Sequence, residues 1–223
     1  MDAGLHAKNV KKSYGATQAL RGVDIEVAPG EIVAVIGPSG SGKTTLLHSL
    51  AAITNIDSGE IVFDGKHIAG LSDNARSRLR RQQFGFVFQF GQLVPELTAL
   101  DNIALPLLLN RVSRKAAYQE AGQWIKKVNL IPQSDSLAGE LSGGQMQRVA
   151  IARAMIIKPR VLFADEPTGS LDSVNSKMIL DLLTRTARQQ NTTIIMVTHE
   201  PSIAAYADRT ITMRDGLVAE SSA

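Results

Sequence analysis

Apolar residues fall along this chain in two patterns. The segments LHAKNV at 5–10 and ALRGVDIEV at 19–27 alternate apolar with polar positions, which predicts strands with one covered face. The runs IVAVI at 32–36, FGFVF at 84–88, RVLFAD at 160–165 and TTIIMV at 192–197 are apolar almost without interruption, which predicts strands buried on both faces. Shorter strands are predicted at IVF, 61–63, and RTITM, 209–213. Helical spacing predicts a helix at about 42–52, several helical segments from about 98 to 157, a helix at about 173–190 and a short one after Pro201.

Continuous apolar strands flanked by helices predict an α/β fold whose sheet is mostly parallel and covered on both sides. The first part of the chain is mostly strand, and the stretch from about 90 to 157 is an inserted helical subdomain. No internal repeat, low-complexity tract or long linker interrupts the pattern, so residues 1–223 are expected to form one domain.

Composition narrows the function classes. A hydrophobic share of 44% in 223 residues is enough for a substantial core. Against 21 Asp and Glu stand 24 Lys and Arg, and the only dense basic block is RSRLRR at 76–81, so no nucleic-acid partner is expected. The absence of cysteine excludes disulfides and cysteine-based zinc sites. The N-terminal residues lack the apolar core of a signal peptide, and the longest apolar stretch, IALPLLL at 103–109, is too short to cross a bilayer. The expected location is cytosolic, with any membrane role reached through a partner.

The segment Gly37-Pro38-Ser39-Gly40-Ser41-Gly42-Lys43-Thr44-Thr45 lies directly after a strand and before a helix and fits G-x-x-x-x-G-K-[ST]. Such glycines free backbone N–H groups to surround phosphate oxygens at a positive helix terminus. Lys43 is expected to reach the β- and γ-phosphates and the Thr44 hydroxyl to ligate Mg²⁺. The strand VLFADE, 161–166, supplies the acids such a site needs: Asp165 for the Mg²⁺ shell and Glu166 to polarise an attacking water.

Kinases, GTPases and many ATPases share those parts, so the class rests on LSGGQMQRVAIARAM at 141–155. Ser142 and Gln145 form a capping-box pattern, the intervening glycines expose backbone N–H groups, and Met146, Val149, Ala150 and Met155 trace an apolar helix face. This is either simply a well-capped helix or a second helix start built to receive an anion.

With these motifs in this order, nearly the whole chain resembles the nucleotide-binding subunit of ATP-binding cassette (ABC) transporters, whose signature is LSGGQ. The resemblance implies a P-loop core with an N-terminal antiparallel β-subdomain, and a head-to-tail homodimer with two ATP molecules at its interface. It implies that Ser142, Gly143, Gly144 and Gln145 contact the nucleotide held by the partner's phosphate loop. Tyr14 matches the aromatic that stacks on adenine, and Gln89 the glutamine that reaches Mg²⁺ and the attacking water. Asp172, in Gly169-Ser170-Leu171-Asp172, matches the acid of the loop crossing the dimer interface, and His199 the histidine that contacts the γ-phosphate.

The segments FQFGQLVPELTALDNIALPL, 88–107, and EPTGSLDS, 166–173, resemble the MacB, LolD and FtsE branch. That resemblance implies an ATPase at the cytoplasmic face of the membrane, joined to integral permease subunits. It would power export or extraction of an amphipathic cargo such as a lipoprotein, peptide, macrolide or haem. The alternative it leaves open is a regulatory ATPase of the FtsE kind, signalling across the membrane without moving cargo. Apolar residues after Gln89, such as Leu93, Val94 and Leu97, are expected either to form an exposed surface that receives the membrane partner or to belong to the core of the helical subdomain.

Overall fold

A strand that is apolar at every position must be covered on both faces, and the central sheet meets that demand. In the computed structural model, which describes residues 4–222, two sheets are present among the described residues. The first is antiparallel, with β2 (Thr17–Val27), β1 (Leu5–Tyr14), β4 (Ser58–Phe63) and the two-residue β5 (Lys66–His67) side by side in that order. In the second, β3 (Ile32–Ile36), β8 (Thr193–Thr198), β7 (Val161–Asp165) and β6 (Phe84–Phe88) run parallel as successive neighbours. β9 (Arg209–Arg214) joins the other side of β3 in parallel, and β10 (Leu217–Ser222) closes that edge antiparallel to β9. The sheet is therefore mixed and mostly parallel, as expected.

Alternate side chains of the parallel strands enter two different cores. Val161 and Phe163 of β7, with Ile195 and Val197 of β8, pack with the antiparallel sheet and α1 (Lys43–Leu50). Leu162, Ala164, Ile194 and Met196 point the other way, into a core shared with α3 (Ala99–Leu109), α4 (Arg114–Lys127), α5 (Gly143–Met155) and α6 (Ser173–Gln190). Each fully buried Leu, Ile, Val or Phe contributes roughly 1.5–3 kcal/mol. The aromatic run Phe63, Phe84, Phe163 adds edge-to-face contacts at 5.0 and 5.1 Å.

The helices start where their caps permit. Thr98 and Asp101 form a reciprocal capping box at α3, and the Tyr118 hydroxyl of α4 donates to the Asp101 carboxylate. Asp172 caps α6, which ends at Asn191 in the left-handed conformation.

Several elements differ from the sequence expectation. α2 (Asp73–Gln83), β5 and β10 were not expected, and β1, β2 and β4 are longer than their alternating cores suggested. α2 has no buried residue, so it carries no apolar stripe to read. α7 (Pro201–Ala204) follows β8 directly.

Register sets up the site. Phe88 pairs with Asp165, Asp165 with Val197, and Ile36 with Thr198, so β6, β7, β8 and β3 end nearly level. The residues just beyond those ends are Gln89, Glu166, His199 and Gly37, which places them along the carboxyl edge, where open α/β sheets bind ligands.

Candidate active site

The loop between β3 and α1 is held from three sides. Gly37 has φ +150°, and a Cβ there would lie 2.2 Å from the backbone oxygen of Met213 on β9, so only glycine fits. The Gly216 N–H, in the turn before β10, donates to Ser41 O at 3.0 Å. Lys43 is buried, and its ammonium donates to Gly37 O and Pro38 O at 2.9 and 2.8 Å, crossing the loop it follows. Pro38, Ser39 and Gly40 are exposed, and Ser41 is buried with a hydroxyl that has no hydrogen-bond partner. The loop opens α1, whose first backbone N–H groups have no carbonyl a turn earlier to bond.

Beside the loop lies an open cleft of about 570 Å³, lined among others by Thr17, Arg21, Gly40, Lys43, Thr45 and Asp215. That size suits a ligand larger than inorganic phosphate. Tyr14 is half exposed at the end of β1, and the cleft lining begins two residues later at Ala16. The Lys12 ammonium stands 5.4 Å from the Tyr14 ring centre, over one ring face.

Thr44 and Asp165 meet at the loop's open side, with the Thr44 hydroxyl donating to Asp165 Oδ1 at 3.3 Å. Burial pushes the Asp165 carboxyl above its ordinary range; His48, the Thr44 hydrogen bond and Lys43 pull it down, and Glu166 adds to the rise. A cation beside that carboxylate would relieve the cost of burying its charge. Two oxygens of this kind fit Mg²⁺, which takes one or two protein oxygens together with those of a bound phosphate.

Glu166 follows in a left-handed backbone conformation, φ +47°, while its N–H extends the ladder to Val197 O at 2.9 Å. Strain of this sort in a non-glycine residue concentrates at functional sites. Glu166 Oε1 meets His199 Nδ1 at 2.9 Å across the ends of β7 and β8. Gln89 approaches from β6: a Cβ on Gly169 would lie 2.8 Å from Gln89 Nε2 and 3.1 Å from Glu166 Oε2. Gly169 thus lets the Gln89 amide and the Glu166 carboxylate share one small space.

The signature residues lie elsewhere on the surface. Ser142 caps α5, its Oγ accepting from the Gln145 N–H at 3.4 Å and Gln145 Oε1 from the Ser142 N–H at 2.8 Å. Ser142 and Gly143 are exposed, and Gly144 packs against Asn175. Asp172 accepts from the N–H groups of Val174 and Asn175 and from the Asn175 side chain, bonds that hold its carboxyl below the ordinary range. None of Ser142, Gly143, Gly144, Gln145 or Asp172 lines the cleft beside the phosphate loop. Contacts join Thr44 to Asp165, Glu166 to His199, and Gln89 with Glu166 around Gly169, whereas the start of α5 packs against Leu171 and Asn175.

Of the two readings of the segment after Gln89, the structure favours core over an exposed surface. Leu93, Val94 and Leu97 are half-buried, and Leu93 packs on the helical core. The fully buried Asn102 pins this segment through Val94 N, Val94 O and Leu97 O. The most exposed large apolar residues between 90 and 112 are Phe90, 69% exposed, and Leu109, 54% exposed. Two further side chains went unnoticed in the sequence, Gln147 and Arg153 of α5, which hydrogen-bond the backbone on either side of Gln89. A glutamine on the buried stripe Gln147, Ala150, Ile151, Ala154 was the available signal.

Fold and phosphate loop define a P-loop nucleotide-binding protein, with Gln89, Asp165, Glu166 and His199 gathered at the edge of its sheet. The ABC transporter family model matches residues 20–169, and the chain belongs to that family as an ATP-binding ATPase subunit. It is 43% identical to the lipoprotein-releasing system ATP-binding protein LolD of Porphyromonas gingivalis, over 96% of this chain and 98% of that protein. It is 49% identical to the macrolide export ATP-binding/permease protein MacB of Chlorobium luteolum, over 96% of this chain but 32% of that longer protein. A solved dimeric ATP-binding cassette in a post-hydrolysis state, bound to ADP and Pi, matches with TM-score 0.91 and 35% identity over 98% of this chain and 97% of that one.

Proposed function

We propose that this ATPase powers extraction or export of an amphipathic cargo through a membrane permease carried by separate subunits, from the cytoplasmic face of the membrane. The observation that carries the hydrolytic part is the 2.9 Å contact between Glu166 and His199, set beside Gln89 at the strand edge that also carries the phosphate loop. With Glu166 ionised, the contact has His199 Nδ1–H donating, which fixes the carboxylate's orientation. Glu166 then accepts the proton of the attacking water, Gln89 holds that water, and His199 faces the γ-phosphate. Lys43 and the loop N–H groups bind the phosphates, and Tyr14 stacks on the adenine. Thr44, Asp165 and Gln89 would hold Mg²⁺, which when bound supplies charge neutralisation at the phosphate oxygens.

The exposed signature start, Ser142 and Gly143, serves the nucleotide of a second copy, with Asp172 near the crossing. Residues 90–157 form the helical subdomain. The permease is met at a groove of about 480 Å³ lined by Arg80, Arg81, Phe86, Leu105, Leu109 and Arg153. An apolar channel rimmed by arginines suits an amphipathic cytosolic segment of a membrane protein. Among the described residues no helix is long and apolar enough to cross a membrane, so attachment would run through that contact. The relatives' names, lipoprotein release and macrolide export, favour an amphipathic cargo.

The test is Glu166→Gln. It should retain ATP binding and slow hydrolysis by about a hundredfold or more, roughly 2.7 kcal/mol in barrier height. Extracted with detergent in the presence of ATP, it should carry a membrane protein with it. Near-normal turnover would remove Glu166 as the base, and co-purification of ribosomal or DNA-bound material alone would remove the transport role.

A further inference from the structure

We propose that Gln147 is a positioning residue that holds the turns bearing Gln89 and Glu166 in fixed relation to the signature helix. The inference rests on the roles given above to those two residues.

Gln147 lies one turn into α5 and is 2% exposed. Its Nε2 donates to Phe88 O at 3.0 Å and to Pro167 O at 2.6 Å. Phe88 immediately precedes Gln89, and Pro167 immediately follows Glu166. One amide group thus uses both its hydrogens on the backbone flanking the two side chains that converge at Gly169.

Neighbouring contacts make the link stiff. The Gln89 turn closes on itself through Gly91 N–H to Phe88 O at 3.0 Å. Further along α5, the Arg153 guanidinium donates to Gly91 O and Gln92 O at 2.7 and 2.8 Å. Ser170 Oγ donates to Gln89 O at 2.9 Å, tying the same turn to the loop after Glu166. The helix that presents Ser142 and Gly143 at its start therefore holds both ends of the segment 88–92, at Phe88 and at Gly91 and Gln92. A shift of α5 along or about its axis draws Phe88 and Pro167 with it, because parting would strand the buried Gln147 amide and take from Pro167 O the donor it has, while Phe88 O would keep Gly91 N–H.

A buried amide can also serve packing alone, and the experiment separates the two. Gln147→Leu keeps the volume and removes both donors; Gln147→Asn keeps the amide on a shorter stem. ATP affinity, kcat and KM for phosphate release, and the thermal midpoint are measured for each full-length variant, alone and combined with Gln89→Ala.

Gln147→Leu should keep ATP affinity within about twofold and lower kcat about ten- to a hundredfold, the scale of a misplaced group. Gln147→Asn should fall between it and the parent. In the Gln89→Ala background the further loss should be far smaller, because both changes act on one geometry. An unchanged kcat, a loss that multiplies fully with Gln89→Ala, or a loss matched by the fraction of unfolded protein would overturn the proposal. If Gln147→Leu does not fold, the same comparison with Gln147→Asn decides. Normal turnover in Glu166→Gln or Gln89→Ala would instead defeat the reading of the site itself.

Discussion

At Gly169 the site has no room for a methyl group, although the backbone there does not need glycine's left-handed freedom. The atoms a Cβ would meet, Gln89 Nε2 and Glu166 Oε2, are ends of flexible side chains and can move away cheaply. Gly169→Ala should therefore leave folding stability unchanged or raise it by about 0.4–1 kcal/mol, while kcat falls about tenfold or more. Gly37→Ala meets a fixed backbone oxygen at 2.2 Å with φ +150° and should lose roughly 1–3 kcal/mol of stability. Denaturant melts beside phosphate-release rates check both, and parallel behaviour of the two variants would contradict the distinction. The phosphate loop was legible because its parts are contiguous and each has a local reason. The crowding around Gly169 was not, since Gln89 and Gly169 become neighbours only through the pairing of β6 with β7.

Among elements, Asp208 just before β9 fastens the end of α6 to the start of β3. It accepts from the Arg188 side chain and, at 2.9 Å, from the Ile32 N–H, while its own N–H donates to Ile32 O at 2.7 Å. The Arg188 hydrogen bond, ahead of the opposing effect of burial, holds the Asp208 carboxyl below its ordinary range, helped by the Ile32 N–H and the Arg188 charge. A carboxyl lowered in the folded state stabilises fully above its unfolded value and loses that contribution as pH falls through the folded one. Asp208→Asn should therefore be less stable than the parent at neutral pH, and the gap should close below the ordinary carboxylate range. Urea melts across that range measure it, and a gap independent of pH would contradict the clasp. Elements with an apolar signature, such as β6 and α6, stand where the pattern puts them. α2 and β10 escaped because they bury little: α2 is legible only through its cap at Ser72 and its basic last turn, and β10 is an exposed edge strand paired solely to β9. Both are held by local hydrogen bonds, within the helix for α2 and across a tight hairpin for β10, and with so little buried surface neither leaves a periodic trace.

For the whole molecule, one cassette is an incomplete enzyme if the signature acts on nucleotide. Ser142 and Gly143 stand exposed at the start of α5, outside the cleft beside their own phosphate loop, and helix starts attract anions. In the Glu166→Gln background, where ATP persists, the parent should sediment as a dimer with ATP and as a monomer without it. Adding Lys43→Ala removes the cation that crosses the phosphate loop, so both ATP binding and the dimer should be lost. Adding Ser142→Arg leaves that loop untouched and puts bulk where the partner's phosphate must come, a steric block that outweighs the added charge. It should bind ATP with nearly unchanged affinity and remain a monomer, at a folding cost of about 1 kcal/mol for the lost cap. Two variants that are both monomeric, only one of them able to hold ATP, are what a shared site requires, because binding is completed within one chain and closure needs two. An ATP-dependent dimer in Ser142→Arg would place the signature away from the interface and leave the exposed start of α5 without a role.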